Sequence, residues 1–315
     1  MRLKILFAIE RYLGCDPTRD YTPHYYSTIG SLEELDWADI WVFHIDQSPM
    51  CDLVALAESI QPDLVVISYV LSYGDKNVLP GTMDELRRRS KRLVMLWQES
   101  SFDVVRTADQ FNSLVDFHVV IDSLTRYQKY TVHPEKYLAV YDPRSPAVFH
   151  ALGTEQRHTK LGFAGTLINR PERIFYCANL WLNGLPLAKF AGQGELLVPL
   201  PTYVSFLKYS RIQLNFSDSG PNERHYKGRV AEVTLCGAML LELENPETNN
   251  IFEPMKEYVP FNSMEDLIQK VRYYIANPEE AQQIADAGRK VAERQLTGRV
   301  FWKAVFERAG LEIAS

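Results

Sequence analysis

Asn222-Glu223-Arg224-His225-Tyr226-Lys227-Gly228-Arg229-Val230-Ala231-Glu232-Val233-Thr234-Leu235-Cys236-Gly237-Ala238-Met239-Leu240-Leu241-Glu242 moves from a polar, cationic loop into a short helix, stops on Gly237, and continues as an apolar run with the character of a buried strand. The free N–H groups at a helix start favour negative charge, and Lys227 and Arg229 stand where they add two more donors. Glu232 projects on the same side as Arg229, one turn on, and can accept hydrogen bonds from hydroxyls beside that anion. Phosphate next to hydroxyls is the signature of a nucleotide. The plainer alternative, an i, i+3 ion pair between Arg229 and Glu232 on a helix surface, stays open at this point.

Working backwards, Leu161-Gly162-Phe163-Ala164-Gly165-Thr166 reads as a strand that ends on a glycine and a hydroxyl residue, before a helix expected over residues 171–183. Glycine there lets a ligand come close to the main chain. Arg170 and Arg173 are either phosphate contacts or exposed helix-start residues. Residues 186–191 form a strand into Gly192-Gln193-Gly194, and residues 212–216 form another into Ser217-Asp218-Ser219-Gly220, with Ser217 a further ligand candidate. Working forwards, residues 259–261 make a last short strand. Ser263-Met264-Glu265-Asp266 resembles a capping box, and Asn277-Pro278-Glu279-Glu280 opens a further helix.

In the first half, apolar runs at residues 5–9, 40–45, 64–68, 93–97, 117–121 and 137–141 alternate with helical stretches such as 51–60 and 83–92. That alternation predicts a doubly wound parallel sheet with ligands beyond the carboxyl ends of its strands. The loop over residues 10–29 carries His24, Tyr25 and Tyr26 and suits an acceptor surface, or is a solvent-exposed connection with its tyrosines packed down. It has no G-x-G-x-x-G, so a dinucleotide role for this half is poorly supported. Prolines 143 and 146 and the polar run after Gly153 mark a linker. The expected α/β organisation is therefore residues 1–155, residues 156–296, and a C-terminal helix over 297–315 that returns to the first domain.

Net charge −6 argues against a protein that coats nucleic acid. Four scattered cysteines, none in C-x-x-C, indicate neither a zinc site nor a disulfide framework, and no metal-ligand cluster is evident. No apolar stretch reaches the length of about 20 residues that crosses a bilayer, so a cytoplasmic location is expected, with peripheral membrane contact left open.

The run 227–241, then Phe252-Glu253-Pro254-Met255-Lys256-Glu257-Tyr258-Val259-Pro260-Phe261, then the helices opened by Asp266-Leu267-Ile268 and Asn277-Pro278-Glu279-Glu280, together resemble the C-terminal domain of GT-B glycosyltransferases. The resemblance is strongest to the CgeB-like and glycosyl transferases group 1 branch and covers about half of the chain. It implies two Rossmann-like domains facing a cleft. It also implies transfer of a hexose-type sugar from a nucleoside diphosphate sugar to a hydroxyl of a protein, glycan, lipid-linked or small-molecule acceptor, without metal or other cofactor. On that resemblance Glu232 holds the nucleotide ribose, Lys227 and Arg229 approach the diphosphate, and Gly165-Thr166 is the loop after the domain's first strand.

Related retaining enzymes often carry E-x7-E ending at the position of Glu232. Here Arg224 occupies the earlier position and Glu223 lies one residue off, which leaves the stereochemistry undecided. An inverting reaction needs a base in the first domain, and Glu99, Glu10 and His24 are the candidates. A sugar-nucleotide epimerase and a non-catalytic sugar-nucleotide-binding module are the alternatives.

Overall fold

The computed structural model describes residues 2–19, 22–153, 156–190, 198–220 and 223–313. The chain forms two compact units, Met1–Pro143 together with Gly298–Ser315, and Arg144–Thr297.

The first unit is built on a parallel sheet of β1 (Leu3–Ile9), β2 (Ala38–His44), β3 (Leu64–Ser68), β4 (Arg92–Trp97), β5 (Phe117–Val120) and β6 (Tyr137–Ala139) in the order β2-β1-β3-β4-β5-β6. Strand alternation sends its apolar side chains to two cores. Leu6, Ala8, Val65 and Ile67 meet Leu53 of α2 (Met50–Ile60), Leu86 of α3 (Pro80–Arg89) and Val105 of α4 (Phe102–Asp109). Ile5, Phe7, Ile9 and Val66 meet Ile29 of α1 (Thr28–Glu33) and the last helix of the chain, Gly298–Ala309. The loop after β1 is partly ordered by the 3-10 turns Leu13–Cys15 and Pro23–Tyr26 before α1 begins.

His118 on β5 has no exposed surface. Trp97 donates its indole N–H to Nδ1 at 3.1 Å and Nε2 lies 3.1 Å from Asn112 Oδ1, so the ring is a neutral tautomer protonated on Nε2. Burial pushes its pKa down to about 4, with Lys136 acting in the same direction and Asp109 opposing it. A histidine whose folded pKa lies below its unfolded value contributes stability that is whole above the unfolded pKa of about 6.5 and is lost as pH falls towards the folded value. The expected loss between pH 7 and pH 4 is about 3 kcal/mol in the first unit. Urea unfolding followed at both pH values measures it, and a His118→Gln variant with the same pH dependence would remove His118 as the cause.

The second unit carries a parallel sheet of β7 (Thr159–Ala164), β8 (Leu187–Phe190), β9 (Ser210–Asn215), β12 (Met239–Leu243) and β13 (Val259–Phe261) in the order β13-β12-β9-β7-β8, with a small antiparallel hairpin of β10 (Asp218–Gly220) and β11 (Glu223–Arg224). Its helices are α5 (Pro171–Leu182), α6 (Leu200–Lys208), α7 (Arg229–Leu235), α8 (Pro246–Asn249), α9 (Met264–Ala276) and α10 (Pro278–Gln295), and the chain ends on α11 (Gly298–Ala309) in the first unit. Leu161, Phe163, Ile212, Leu214, Met239 and Leu241 form the core with Tyr176 and Leu180 of α5 and Leu267 and Val271 of α9. The chain enters α7 from the carboxyl side of the sheet, runs back to the amino side, and turns at Gly237, whose φ of 72° is the left-handed conformation glycine adopts freely, into β12.

The change of unit falls between Pro143 and Arg144, earlier than the expected position near 155, which lies outside the described residues. The reason is the side of the divide on which Arg144 makes its bonds. Its N–H donates to Leu296 O and its side chain to Glu232, both in the second unit. Asn222 and the Gly192-Gln193-Gly194 loop also lie outside the described residues.

Candidate functional site

Parallel strands deliver Gly165, Ser217 and the start of α7 to one end of the second sheet, the carboxyl end where α/β folds bind ligands. The centre of this region is Glu232, which is buried. Arg144 Nε donates to Oε1 at 2.7 Å and the Tyr203 hydroxyl donates to Oε2. Arg229 Nε in turn lies 3.4 Å from the Tyr203 oxygen. Burial first, and the charge of Glu232 second, raise the Tyr203 pKa well above the ordinary phenol value, so the hydroxyl stays a donor. The ion pair of Glu232 is with Arg144 rather than with Arg229 one turn before it, and each carboxylate oxygen keeps a lone pair that can accept a further donor.

Two glycines make room for the guanidinium groups. A Cβ on Gly228 would stand 1.5 Å from an Arg144 terminal nitrogen, and one on Gly165 would stand 3.0 Å from an Arg229 terminal nitrogen. Any side chain at Gly228 would therefore displace Arg144 from Glu232.

The helix contributes less than its sequence suggests. α7 has seven residues, and Gly228 supplies no side-chain cap, so its dipole is that of two turns. The positive character of the site comes from Lys227, Arg229 and Arg144 themselves.

Arg170 and Arg173 are placed differently from a free phosphate clamp. Arg173 is buried, donates through Nε to Asp218 at 2.7 Å, and holds the carbonyls of Thr166 at 3.2 Å and Phe216 at 3.3 Å. Arg170 pairs with the other Asp218 oxygen at 3.2 Å. The two arginines thus tie the Gly165-Thr166 loop to the end of β9. Thr166 itself is exposed, and its hydroxyl accepts the Ile168 N–H at 3.2 Å. Ser217 is fully buried, donates to Glu242 and accepts from Asn215 at 3.2 Å. Burial pushes the Glu242 carboxyl up, while hydrogen bonds from Ser217 and Asn215 oppose the shift. Arg224, at the position of the missing glutamate, pairs with Glu172 of α5 at 3.4 Å.

The candidate bases all follow strands of the first sheet or the loop beside them. Glu99 is exposed, just beyond β4. Glu10 is completely buried; Oε1 accepts from Thr22 at 2.8 Å and Oε2 has no hydrogen-bond partner among the described residues. His24 is buried with Nδ1 2.9 Å from Thr28 Oγ1 and Nε2 2.9 Å from Ser68 Oγ, which engages both nitrogens. Among the described residues no three His, Cys, Asp or Glu side chains converge as a metal site.

Sequence reasoning puts residues 142–145 beyond a strand end but missed the pairing of Arg144 with Glu232, and it missed Tyr203 altogether. Arg144 sat in what reads as a linker, between two prolines, where nothing in the local pattern marks a buried charge. Tyr203 lies on α6, to which no element was assigned. The Leu200-Pro201 start and the spacing of Val204 and Leu207 were the available signal.

Residues 183–303 match the family model described as glycosyl transferase-like. No curated protein matches the sequence. Among solved structures, HepE of Anabaena, crystallised with UDP and glucose, is 11% identical at a TM-score of 0.61, with 98% of this chain and 100% of that one covered. Sucrose-phosphate synthase from Thermosynechococcus elongatus is 10% identical at 0.60, covering 98% of each chain, and a glycosyltransferase from Rickettsia africae is 11% identical at 0.57, also covering 98% of each. These likenesses identify the fold as GT-B, with two Rossmann-like α/β units in tandem.

Proposed function

We propose that the chain is a glycosyltransferase that moves a sugar from a nucleoside diphosphate sugar to a hydroxyl acceptor. The observation that carries this reading is Glu232, a buried carboxylate held between Arg144 and Tyr203 beside Arg229, at the carboxyl end of the second sheet. The family match over residues 183–303 includes Arg229 and Glu232, and HepE was crystallised with UDP and with UDP-glucose. In this reading Glu232 accepts the ribose hydroxyls, while Arg229 and Lys227 compensate the negative charge that grows on the departing diphosphate. Arg144 and Tyr203 set the orientation of the Glu232 carboxylate. The Gly165-Thr166 loop, held by Arg173, lets the donor lie against the main chain.

Glu99 is the first candidate for the base that deprotonates the acceptor, because its carboxylate is exposed at a strand end where an acceptor can reach it. Glu10 is second, with one oxygen unpaired. His24 is third, since either nitrogen would first have to release a hydroxyl.

No helix among the described residues is long and apolar enough to cross a membrane. All four cysteines are free thiols, which suits a reducing, cytoplasmic setting. The acceptor is left as any hydroxyl compound, peripheral membrane contact included.

The test is transfer or hydrolysis read as released nucleoside diphosphate across UDP-, GDP-, ADP-, CDP- and dTDP-sugars. At least one donor is expected to turn over, and Glu99→Gln should lower kcat by about 10²- to 10⁴-fold while leaving nucleotide affinity unchanged. Nucleotide binding without release from any donor would favour the second reading, a sugar-nucleotide-binding module, for which the Arg224–Glu172 pair in place of the E-x7-E glutamate is the supporting observation. Turnover of a donor without acceptor and without hydrolysis would identify an epimerase. No nucleotide binding at all would sink the assignment.

A further inference from the structure

At the amino end of the second sheet, opposite Gly165 and Ser217, lies a cavity of about 540 Å³. Arg157, just before β7, and Arg211, at the start of β9, line it together with the first turns of α10. The volume is that of a small-molecule site.

Arg157 is the unusual residue. It is 1% exposed, yet no carboxylate pairs with it among the described residues. Its terminal nitrogens donate to Ser210 O at 2.8 Å and Cys236 O at 2.6 Å, while Nε is buried without a partner. A buried guanidinium bonded only to neutral carbonyls is costly, and it lowers that cost by meeting an anion. Burial pushes the Arg157 pKa down, with the charge of Arg289 acting in the same direction and that of Asp286 opposing it.

A second, independent feature opens into the same cavity. α10 is 18 residues long, and Asn277 at its N-cap makes no side-chain bond to the first turn. Pro278 has no N–H, so the first-turn donors near the cavity belong to Glu279 and Glu280. Arg211 adds an exposed guanidinium, fixed by Nε donation to Arg157 O at 2.8 Å and without a carboxylate partner among the described residues. On the other wall stand Glu279, Gln282, Gln283 and Asp286, a set that accepts and donates to hydroxyls.

We propose that this cavity is a second ligand site for a small phosphorylated sugar. Its phosphate would meet Arg157, Arg211 and the α10 start, and its hydroxyls would meet Glu279, Gln282, Gln283 and Asp286. Occupancy is coupled to the donor site, because the guanidinium that meets the phosphate also holds the Cys236 carbonyl at the end of α7, the helix that carries Arg229 and Glu232. The coupling rests on the transferase reading; the binding does not.

Titration calorimetry of the full chain with glucose 6-phosphate, inorganic phosphate and glucose tests it. Glucose 6-phosphate is expected to bind with a Kd of about 1 mM or below, and Arg211→Ala to weaken it by at least roughly tenfold, the weight of one charge-assisted contact. Binding should persist in Glu232→Gln and under saturating UDP, and bound glucose 6-phosphate should change the UDP affinity. Arg157→Lys, which keeps the charge but not the two-carbonyl hold, should weaken that coupling more than it weakens phosphate binding. Absence of glucose 6-phosphate binding, an unchanged Kd in Arg211→Ala, or competition by UDP overturns the site. Inorganic phosphate or glucose binding as tightly as glucose 6-phosphate overturns the phosphorylated-sugar assignment. Failure of UDP, GDP, ADP, CDP and dTDP alike to bind sinks the transferase reading and leaves the glucose 6-phosphate result standing.

Discussion

Glu232→Ala is expected to cost the second unit about 3–5 kcal/mol of folding stability, because it removes the carboxylate that pairs with the Arg144 guanidinium in a site where both partners are more than nine-tenths buried. Arg144→Ala should cost a similar amount by leaving the buried carboxylate without its counter-charge and with the Tyr203 hydroxyl as its remaining donor, and the double variant should cost clearly less than the sum. That coupling marks a desolvated pair, whereas an exposed pair would show about 0–1 kcal/mol. Denaturant unfolding of the four proteins measures the cycle. Nucleotide binding then separates position from charge. Glu232→Gln keeps the shape and an acceptor oxygen, and under the proposed role it is expected to weaken nucleoside diphosphate binding by about 1–3 kcal/mol, because bonds from ribose hydroxyls to a carboxylate would become bonds to a neutral amide. Arg144→Lys should preserve most of the stability and still lower affinity, since an ammonium cannot hold the carboxylate in the planar geometry that a guanidinium imposes. Additive stabilities together with an unchanged nucleoside diphosphate affinity in Glu232→Gln would return Glu232 to a structural role.

The parts of this site that were legible in the sequence are those carried by short-range pattern. The apolar run after Gly237, the strand into Gly165-Thr166 and the Arg229-to-Glu232 spacing are each set by a handful of neighbouring residues, and they fall on α7, β12 and the end of β7. Element types followed periodicity: continuous apolar runs became fully buried parallel strands, such as Leu64–Ser68 and Met239–Leu243. What was not legible is the long-range pairing. Arg144 meets Glu232 across 88 positions of chain, and Tyr203 meets it across 29. No local spacing encodes either contact, because one is fixed by where the segment before β7 meets α7 and the other by how α6 and α7 sit on one sheet.

The same limit explains Arg173. Read along the chain it is a cation near a helix start; in space it is the partner of Asp218, 45 positions on, and its charge is spent on holding two loops. Ser217 is similar, since its hydroxyl is drawn to Glu242 on the neighbouring strand. A residue type at a loop tip says that a polar contact will form. Which contact forms depends on the strand order, and that order, β13-β12-β9-β7-β8, is a property of the whole unit.

A chain ended after Thr297 is expected to lose the fold of its first unit. α11 buries Phe301, Trp302, Val305, Phe306 and Ala309 against Ile5, Phe7, Val66 and Ile29, each with almost no exposed surface. Trp302 stands edge-on to Phe7 with ring centres 5.7 Å apart, and its indole N–H donates to Thr28 O at 2.9 Å. Burial of each large apolar side chain is worth about 1.5–3 kcal/mol, so the four large ones together supply of the order of 10 kcal/mol. Domains as a whole are stable by only about 5–15 kcal/mol, and removing the helix would also leave one face of a parallel sheet open to water. Trp302→Ala alone should cost about 3–5 kcal/mol, part of it from the empty space left beside Phe7 and part from the lost indole hydrogen bond to the Thr28 carbonyl, which then keeps its local donor Ser31. Trp302→Phe should cost less, since it keeps most of the ring contact and loses the hydrogen bond. Amide hydrogen exchange resolves the two units separately. In the truncated chain, exchange in β1, β3 and β4 should become fast while β7, β9 and β12 stay protected, because α11 makes none of the second unit's core. Protection retained in β1, β3 and β4 would mean that the first sheet is stable with one face bare, against the burial that α11 provides.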